Sequence, residues 1–308
     1  MGAIVDISTI LCGIRLENPT ILASGILGTT GASLVNVLNH GAGAVTSKSI
    51  GLEERKGHPN PVFIEWEKGF INAVGLSGQG IEESVEEIKY AVENSESPVI
   101  ASIFASNVKE FGVVAKEISK AKPNFIEVNI SCPNVEAEFG KPFGTDPDVS
   151  AKVTKIVKKN TSIPVIVKLS PNVSNIKLIA KAVEKAGADA ISAINTLGPG
   201  MVINLETAKP ILANKAGGVS GPAIKPIAVR CVYDIYSTVK IPIIGTGGVT
   251  YGRDAIEMFM AGASAVGIGT GVYYRGVDVF RKVSEEIEEF MEKNGYNKLK
   301  EIIGMAHK

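Results

Sequence analysis

The feature that most constrains the fold is a repeated alternation of short, continuously apolar segments with longer amphipathic stretches of helical period. Eight apolar segments begin at Thr20, Ala44, Pro98, Phe125, Pro164, Ala190, Pro242 and Ala265. Each is followed by a stretch of helical pattern, about 33–40, 81–94, 108–120, 147–159, 176–186, 223–237, 252–260 and 277–293. Strands that are apolar on both faces must be covered on both faces, which is how parallel sheets are built in α/β proteins. Eight such units in 308 residues fit a closed (β/α)8 TIM barrel better than an open doubly wound sheet. No composition shift or linker divides the chain, so residues 1–308 read as a single domain.

Two stretches interrupt the alternation. Residues 7–19 carry short apolar pieces around Gly13 and read as a hairpin that caps one end of the core. Residues 51–80 leave no room for a strand and helix of the usual length, but 62–66 and 70–74 are strand-like pieces around Lys68 and Gly69. They predict an inserted hairpin or loop excursion at the barrel mouth, delivering Asn72, Ala73, Val74, Gly75 and Leu76. A glycine-rich irregular stretch also follows Asn195.

Lys plus Arg equals Asp plus Glu at 32 each, so no net field gathers nucleic acid or a membrane surface, and a small-molecule partner is expected. The three cysteines, Cys12, Cys132 and Cys231, are too scattered for a disulfide framework, a zinc site or an iron–sulfur cluster. The chain reads as cytoplasmic. Its start shows no basic segment followed by an apolar core, and no run approaches the roughly 18 apolar residues of a membrane span.

The strand ends are where polar chemistry collects: Ser24, Lys48, Ser102, Asn129, Lys168, Asn195, Gly247, and Gly269 with Thr270. All lie at the C-terminal side of their strands, where barrel enzymes build their sites. Two lysines there are costly to bury unless an anion or another acceptor faces them. Gly245-Thr246-Gly247-Gly248 and Gly267-Ile268-Gly269-Thr270-Gly271 follow the last two strands, the usual phosphate position of barrels. The first of these does not match G-x-G-x-x-G, and no acidic residue follows at the required spacing, so no nicotinamide site is assigned. The segment Asn129-Ile130-Ser131-Cys132-Pro133-Asn134 follows an apolar run that carries Glu127. A lone cysteine is most often a small buried hydrophobe. Here Pro133 holds Cys132 out of the helical region, which aims its thiol.

With these residues in view the sequence resembles the class 1 dihydroorotate dehydrogenases, over nearly the whole chain. The likeness is carried by TSKS at 46–49, NAVGL at 72–76, NISCPN at 129–134, FGTDP at 143–147, INT at 194–196, and the two glycine-rich loops. NAVGL and FGTDP look most like the NAD-linked class 1B catalytic subunit. The family implies an FMN-containing barrel that oxidises dihydroorotate to orotate in pyrimidine biosynthesis. By resemblance, Cys132 is the base that removes the C5 proton. Lys48, Asn72, Ala73, Val74, Gly75, Leu76, Asn129, Asn195 and Thr196 match substrate-holding positions. Ser24, Lys48, Ser49, Ser102, Asn129, Lys168, Ile194, Gly221, Gly247, Gly248, Gly269 and Thr270 match flavin-binding ones. Ser102 stands where the family often carries asparagine, and Ser77-Gly78-Gln79-Gly80 replaces the commoner Gln-Asn-Pro-Gly.

These roles make physical sense. Orotate is a flat imide with a carboxylate, so carboxamides donate and accept around its ring without adding charge, while a lysine offsets the anion. An ordinary thiol is only about 3% ionised at pH 7, so a thiolate base costs about 2 kcal/mol there. The resemblance further implies a homodimer, and a heterotetramer once a subunit carrying FAD and a 2Fe-2S cluster joins to pass electrons to NAD. Alternatives are a flavin barrel acting on another dihydropyrimidine, a fumarate-linked dihydroorotate dehydrogenase, a Schiff-base isomerase or aldolase using Lys168, and a silent flavin-binding module.

Overall fold

The computed structural model describes residues 5–131 and 143–308. Its centre is a closed barrel of eight parallel strands: Thr20–Leu22, Ala44–Thr46, Val99–Ile103, Phe125–Asn129, Val165–Leu169, Ala190–Ala193, Ile243–Thr246 and Ala265–Ile268. The eighth strand closes on the first, with Val266 opposite Thr20 and Ile268 opposite Leu22. The expected (β/α)8 topology is therefore present, each strand starting within one residue of its predicted position. The covering helices are Gly31–Asn39, Ile81–Glu93, Val108–Ile118, Pro147–Asn160, Ile176–Lys185, Lys225–Tyr236, Gly252–Ala261 and Val279–Lys293. A short additional helix, Gly271–Arg275, follows the eighth strand and was not foreseen.

Several helix starts are written locally. Thr30, Asn107 and Asn175 accept from backbone amides one or two residues inside their helices, satisfying donors that otherwise have no partner. The FGTDP motif works in the same way. Asp146 accepts from the amides of Asp148 and Val149, and Pro147 occupies the first helical turn, where its missing N–H costs nothing. Phe143 is buried edge-on against Phe111, anchoring the segment that leads into that helix.

Alternation along each strand sorts the barrel into an outside and an inside. Ile126, Val128, Val165, Val167, Ile191, Val266 and their equivalents face the helices in the large core. Inside, one apolar layer consists of Ile21, Ala44, Ile100, Phe125, Ile166, Ala190, Ile244 and Ala265, packed against Leu11 and Leu16. Those two leucines belong to the hairpin Thr9–Leu11 and Ile14–Leu16, which turns at Cys12 and Gly13, both at positive φ, and plugs the N-terminal end. The predicted capping hairpin is thus in place. Two residues further along the strands the inward positions become polar: Thr46, Ser102, Glu127, Lys168 and Ser192 are all buried.

The predicted inserted hairpin is also present, as Phe63–Trp66 and Gly69–Asn72. Gly69 starts the returning strand opposite Trp66 instead of serving in the turn, and a side chain there would collide with the Ser220 carbonyl oxygen. The glycine-rich stretch after Asn195 is less irregular than its sequence suggests. Leu197–Gly200 and Gly217–Ser220 are strands, and the latter pairs with Gly69–Asn72. Two insertions far apart in sequence thereby form one four-stranded antiparallel sheet. No helix among the described residues is long and apolar enough to cross a membrane.

Candidate active site

At the C-terminal end of the barrel the strand-end residues are joined by hydrogen bonds. Ser24 Oγ lies 3.3 Å from Ser49 Oγ, which lies 3.0 Å from Ser102 Oγ. Ser102 Oγ donates to Glu127 Oε1 at 2.9 Å, and that same oxygen is 3.6 Å from Lys168 Nζ. Asn129 donates from Nδ2 to Ser49 Oγ at 3.1 Å, and its Oδ1 accepts from both the amide and the hydroxyl of Ser131. Asn195 Nδ2 donates to Ser131 Oγ, and its Oδ1 accepts from the Thr196 amide at 2.8 Å. Ser24, Ser49, Ser102, Asn129, Lys168, Asn195 and Thr196 are therefore brought into one connected set.

Other predicted residues reach this region by different routes. Lys48 donates from Nζ to Ser77 Oγ at 2.7 Å, and its amide is held by the Gly28 carbonyl. Half burial desolvates its ammonium and lowers its pKa from the ordinary lysine value. Asn72, at the end of its hairpin strand, directs Nδ2 toward the Gly218 carbonyl at 3.4 Å. Gly218 in turn abuts Thr196, whose Oγ1 lies 2.1 Å from where a Cβ would stand. The Ala73 and Val74 carbonyls are held by His58 through its ring Nδ1 and its amide. Gly75 and Leu76 both adopt positive φ, and Gly75 packs too tightly on His58 to carry a side chain. Ile194 is buried, with its amide bonded to the Thr246 carbonyl of the next strand.

The glycines converge on one place. Gly221, Gly247 and Gly248 all have positive φ, and a Cβ on Gly248 would lie 3.0 Å from the Gly221 carbonyl oxygen. A Cβ on Gly221 would meet the Thr270 methyl at 3.3 Å, while Thr270 Oγ1 donates to Ser220 Oγ at 3.1 Å. A Cβ on Gly269 would touch only Ala23, so its backbone faces open space. Three chain segments thus present bare backbone and small hydroxyls together, which suits a phosphate. The neighbouring Lys225 does not serve it, being paired with Asp254 and Glu257 at 2.9 Å each.

Cys132, like Pro133 and Asn134, lies outside the described residues. The other two cysteines do not suit a thiolate base. Burial pushes the Cys12 thiol up to about 12 and the Cys231 thiol up to about 11, which keeps both protonated at neutral pH.

Glu127, Ser131 and Ser77 belong to this site but are among neither the strand-end residues nor the positions matched by resemblance. Glu127 was visible as a lone acid within an apolar strand. Ser131 and Ser77 gave no signal beyond their neighbours, because a serine is as common in a plain turn as in a site.

Comparison with other proteins bears on the same residues. A family model described as dihydroorotate dehydrogenase matches residues 6–291. The chain is 49% identical over 298 residues to a Methanosarcina mazei protein named dihydroorotate dehydrogenase B (NAD(+)), catalytic subunit, covering 96% of this chain and 94% of that one. It is 49% identical over 304 residues to the Methanocaldococcus jannaschii protein of the same name, covering 98% of each. Against the Pyrococcus furiosus protein so named, identity is 48% over 298 residues, with 97% and 98% covered.

Proposed function

Because the chain belongs to the dihydroorotate dehydrogenase family, we propose that it is the catalytic subunit of an NAD-linked dihydroorotate dehydrogenase, oxidising dihydroorotate to orotate with FMN as its flavin. The observation that carries this reading is the joining of the strand-end serines, Asn129, Lys168 and Asn195 in one mouth, beside the converging glycines. The residues fit a phosphorylated flavin. Gly221, Gly247, Gly248, Gly269 and Thr270 offer backbone and hydroxyl donors, and Ser24, Ser49, Ser102 and Asn129 are linked to Lys168 through hydrogen bonds and Glu127, with Ile194 buried after the next strand. When bound, FMN supplies the acceptor for the hydride that leaves C6 of the substrate.

The protein's own part is binding, orientation and proton transfer. Lys48 offsets the substrate carboxylate, and desolvation makes that charge count for more than it would in water. Asn72, Asn129, Asn195 and Thr196, with the backbone of residues 73–76, hold the flat ring by donating and accepting without adding charge. Cys132 takes the C5 proton as its thiolate. Lys168 Nζ makes no hydrogen bond among the described residues, so its donors are left for a ligand. Residues 1–308 act as one such domain in the cytoplasm, as a homodimer. Electrons leave through a second polypeptide carrying FAD and a 2Fe-2S cluster, which completes a heterotetramer and delivers them to NAD.

The absorption spectrum of the purified chain tests this directly. A yellow protein that bleaches on anaerobic addition of dihydroorotate, and not of dihydrouracil, is the expected result. A colourless chain, or one trapped covalently by borohydride at Lys168, defeats it. Rapid NAD reduction by the chain alone defeats the partner assignment.

A further inference from the structure

Inside the barrel, Glu127 and Lys168 occupy the first polar layer above the apolar floor, on adjacent strands. Their side chains are only 5% and 6% exposed. A buried ion pair of this kind is weak evidence of stabilisation, since two charges must be desolvated to form it. The pair is also incomplete as a hydrogen-bonded unit. Nζ and Oε1 are 3.6 Å apart, beyond a good hydrogen bond, while Ser102 Oγ fixes that same carboxylate oxygen at 2.9 Å. The serine therefore pins the carboxylate, and the carboxylate stands close enough to attract the ammonium without taking up its donors. Asn129 is paired in register with Lys168, so the lysine sits level with the substrate-binding carboxamide and Glu127 two residues beneath it.

Resting on the flavin assignment above, we propose that Glu127 is a positioning and charge-balancing residue for the flavin, acting through Lys168. Paired with the ammonium, it offsets part of the positive field that the ring experiences from Lys168, so the two charges act as one unit. A positive charge beside the ring favours the reduced, more negative form. Removing the carboxylate leaves that field uncompensated, so the bound flavin becomes easier to reduce. A merely structural role for Glu127 would leave the redox equilibrium where it is.

The experiment equilibrates the FMN-loaded protein anaerobically with a reference dye and reads the ratio of reduced to oxidised flavin at fixed potential. For Glu127→Gln, which keeps the shape and can still accept from Ser102, that ratio is expected to rise about tenfold or more. Lys168→Gln moves it in the opposite direction, and in the Lys168→Gln background the added Glu127→Gln change is expected to matter less than twofold. Should the Glu127→Gln chain fail to accumulate, Glu127→Asp draws the charge back by one methylene, and a smaller shift of the same sign is expected. A folded, flavin-bound variant with an unmoved ratio overturns the inference, as does an equal shift with and without Lys168. A wild-type chain that takes up no FMN overturns the functional reading and this inference with it, whereas an unmoved ratio in a yellow protein defeats the inference alone.

Discussion

At the N-terminal end of the barrel the inward residues are Ile100, Phe125 and Ile166, closed over by Leu11 and Leu16 of the hairpin. Two residues later on the same three strands they are Ser102, Glu127 and Lys168, joined to one another. The strands are thus apolar at one end and polar at the other, while their helix-facing residues stay apolar throughout. Burial is equally deep at both ends, yet it does different work. At the floor it removes apolar surface from water and stabilises the fold. At the mouth it desolvates charges and carboxamides, which costs stability and strengthens their action on a ligand.

The sharpest way to separate the ends is to damage each one. At the mouth, Cys132→Ser is expected to lower the rate of flavin reduction by dihydroorotate about 10²- to 10⁴-fold, measured by stopped-flow absorbance, with flavin content and unfolding midpoint unchanged. At the floor, Phe125→Ala is expected to do the reverse. Loss of a fully buried aromatic destabilises by about 3–5 kcal/mol in denaturant titration, while the flavin reduction rate below the unfolding transition stays within about twofold. A floor variant that lost its rate while keeping its flavin would show that the two ends are not independent.

Smaller effects sharpen the same contrast. Lys48→Met is expected to weaken orotate binding about 10- to 100-fold, read by flavin absorbance titration, because it removes a charge-assisted contact. In the wild type, orotate affinity should fall on the alkaline side at a lower pH than an exposed lysine would give, since burial lowers the Lys48 pKa. The stability sign is opposite. The unfolded chain holds that proton more tightly, so Lys48 costs stability at neutral pH, and the cost fades as pH rises toward the ordinary 10.5. The least effect belongs to the floor thiol Cys12 and to Cys231, which lies outside the floor cluster. Iodoacetamide at pH 8 should leave both unmodified in the folded chain, as mass spectrometry of the digest would reveal. Their raised values of about 12 and about 11 mean that the stability they contribute is present below the ordinary thiol value of 9.0 and is lost above it.

Much of this molecule was legible before any coordinates. Strand positions followed from continuous apolar runs, the plugging hairpin from a Gly13 turn between apolar pieces, and the mouth from polar residues repeated at strand ends. The FGTDP and NAVGL motifs carried the family resemblance, and the matches over residues 6–291 agree with it. What escaped was of another kind. The strands after Asn195 were hidden by their glycines, and the second of them, Gly217–Ser220, pairs with Gly69–Asn72 more than a hundred residues away. Ser131 became part of the site only when Asn129 and Asn195 were brought to either side of it.

The sequence by itself determined the barrel, the end at which polar residues collect, and the residue types available there. Those are local properties, set by periodicity, turn chemistry and the desolvation cost of each side chain. Only the tertiary structure decided which polar residues act together. The Ser24 to Lys168 chain crosses several strands, and the glycine cradle joins three segments between Gly221 and Thr270. A hydrogen bond or a charge pair depends on distance in space to within about an ångström. Barrel closure sets that distance, and no spacing along the chain encodes it.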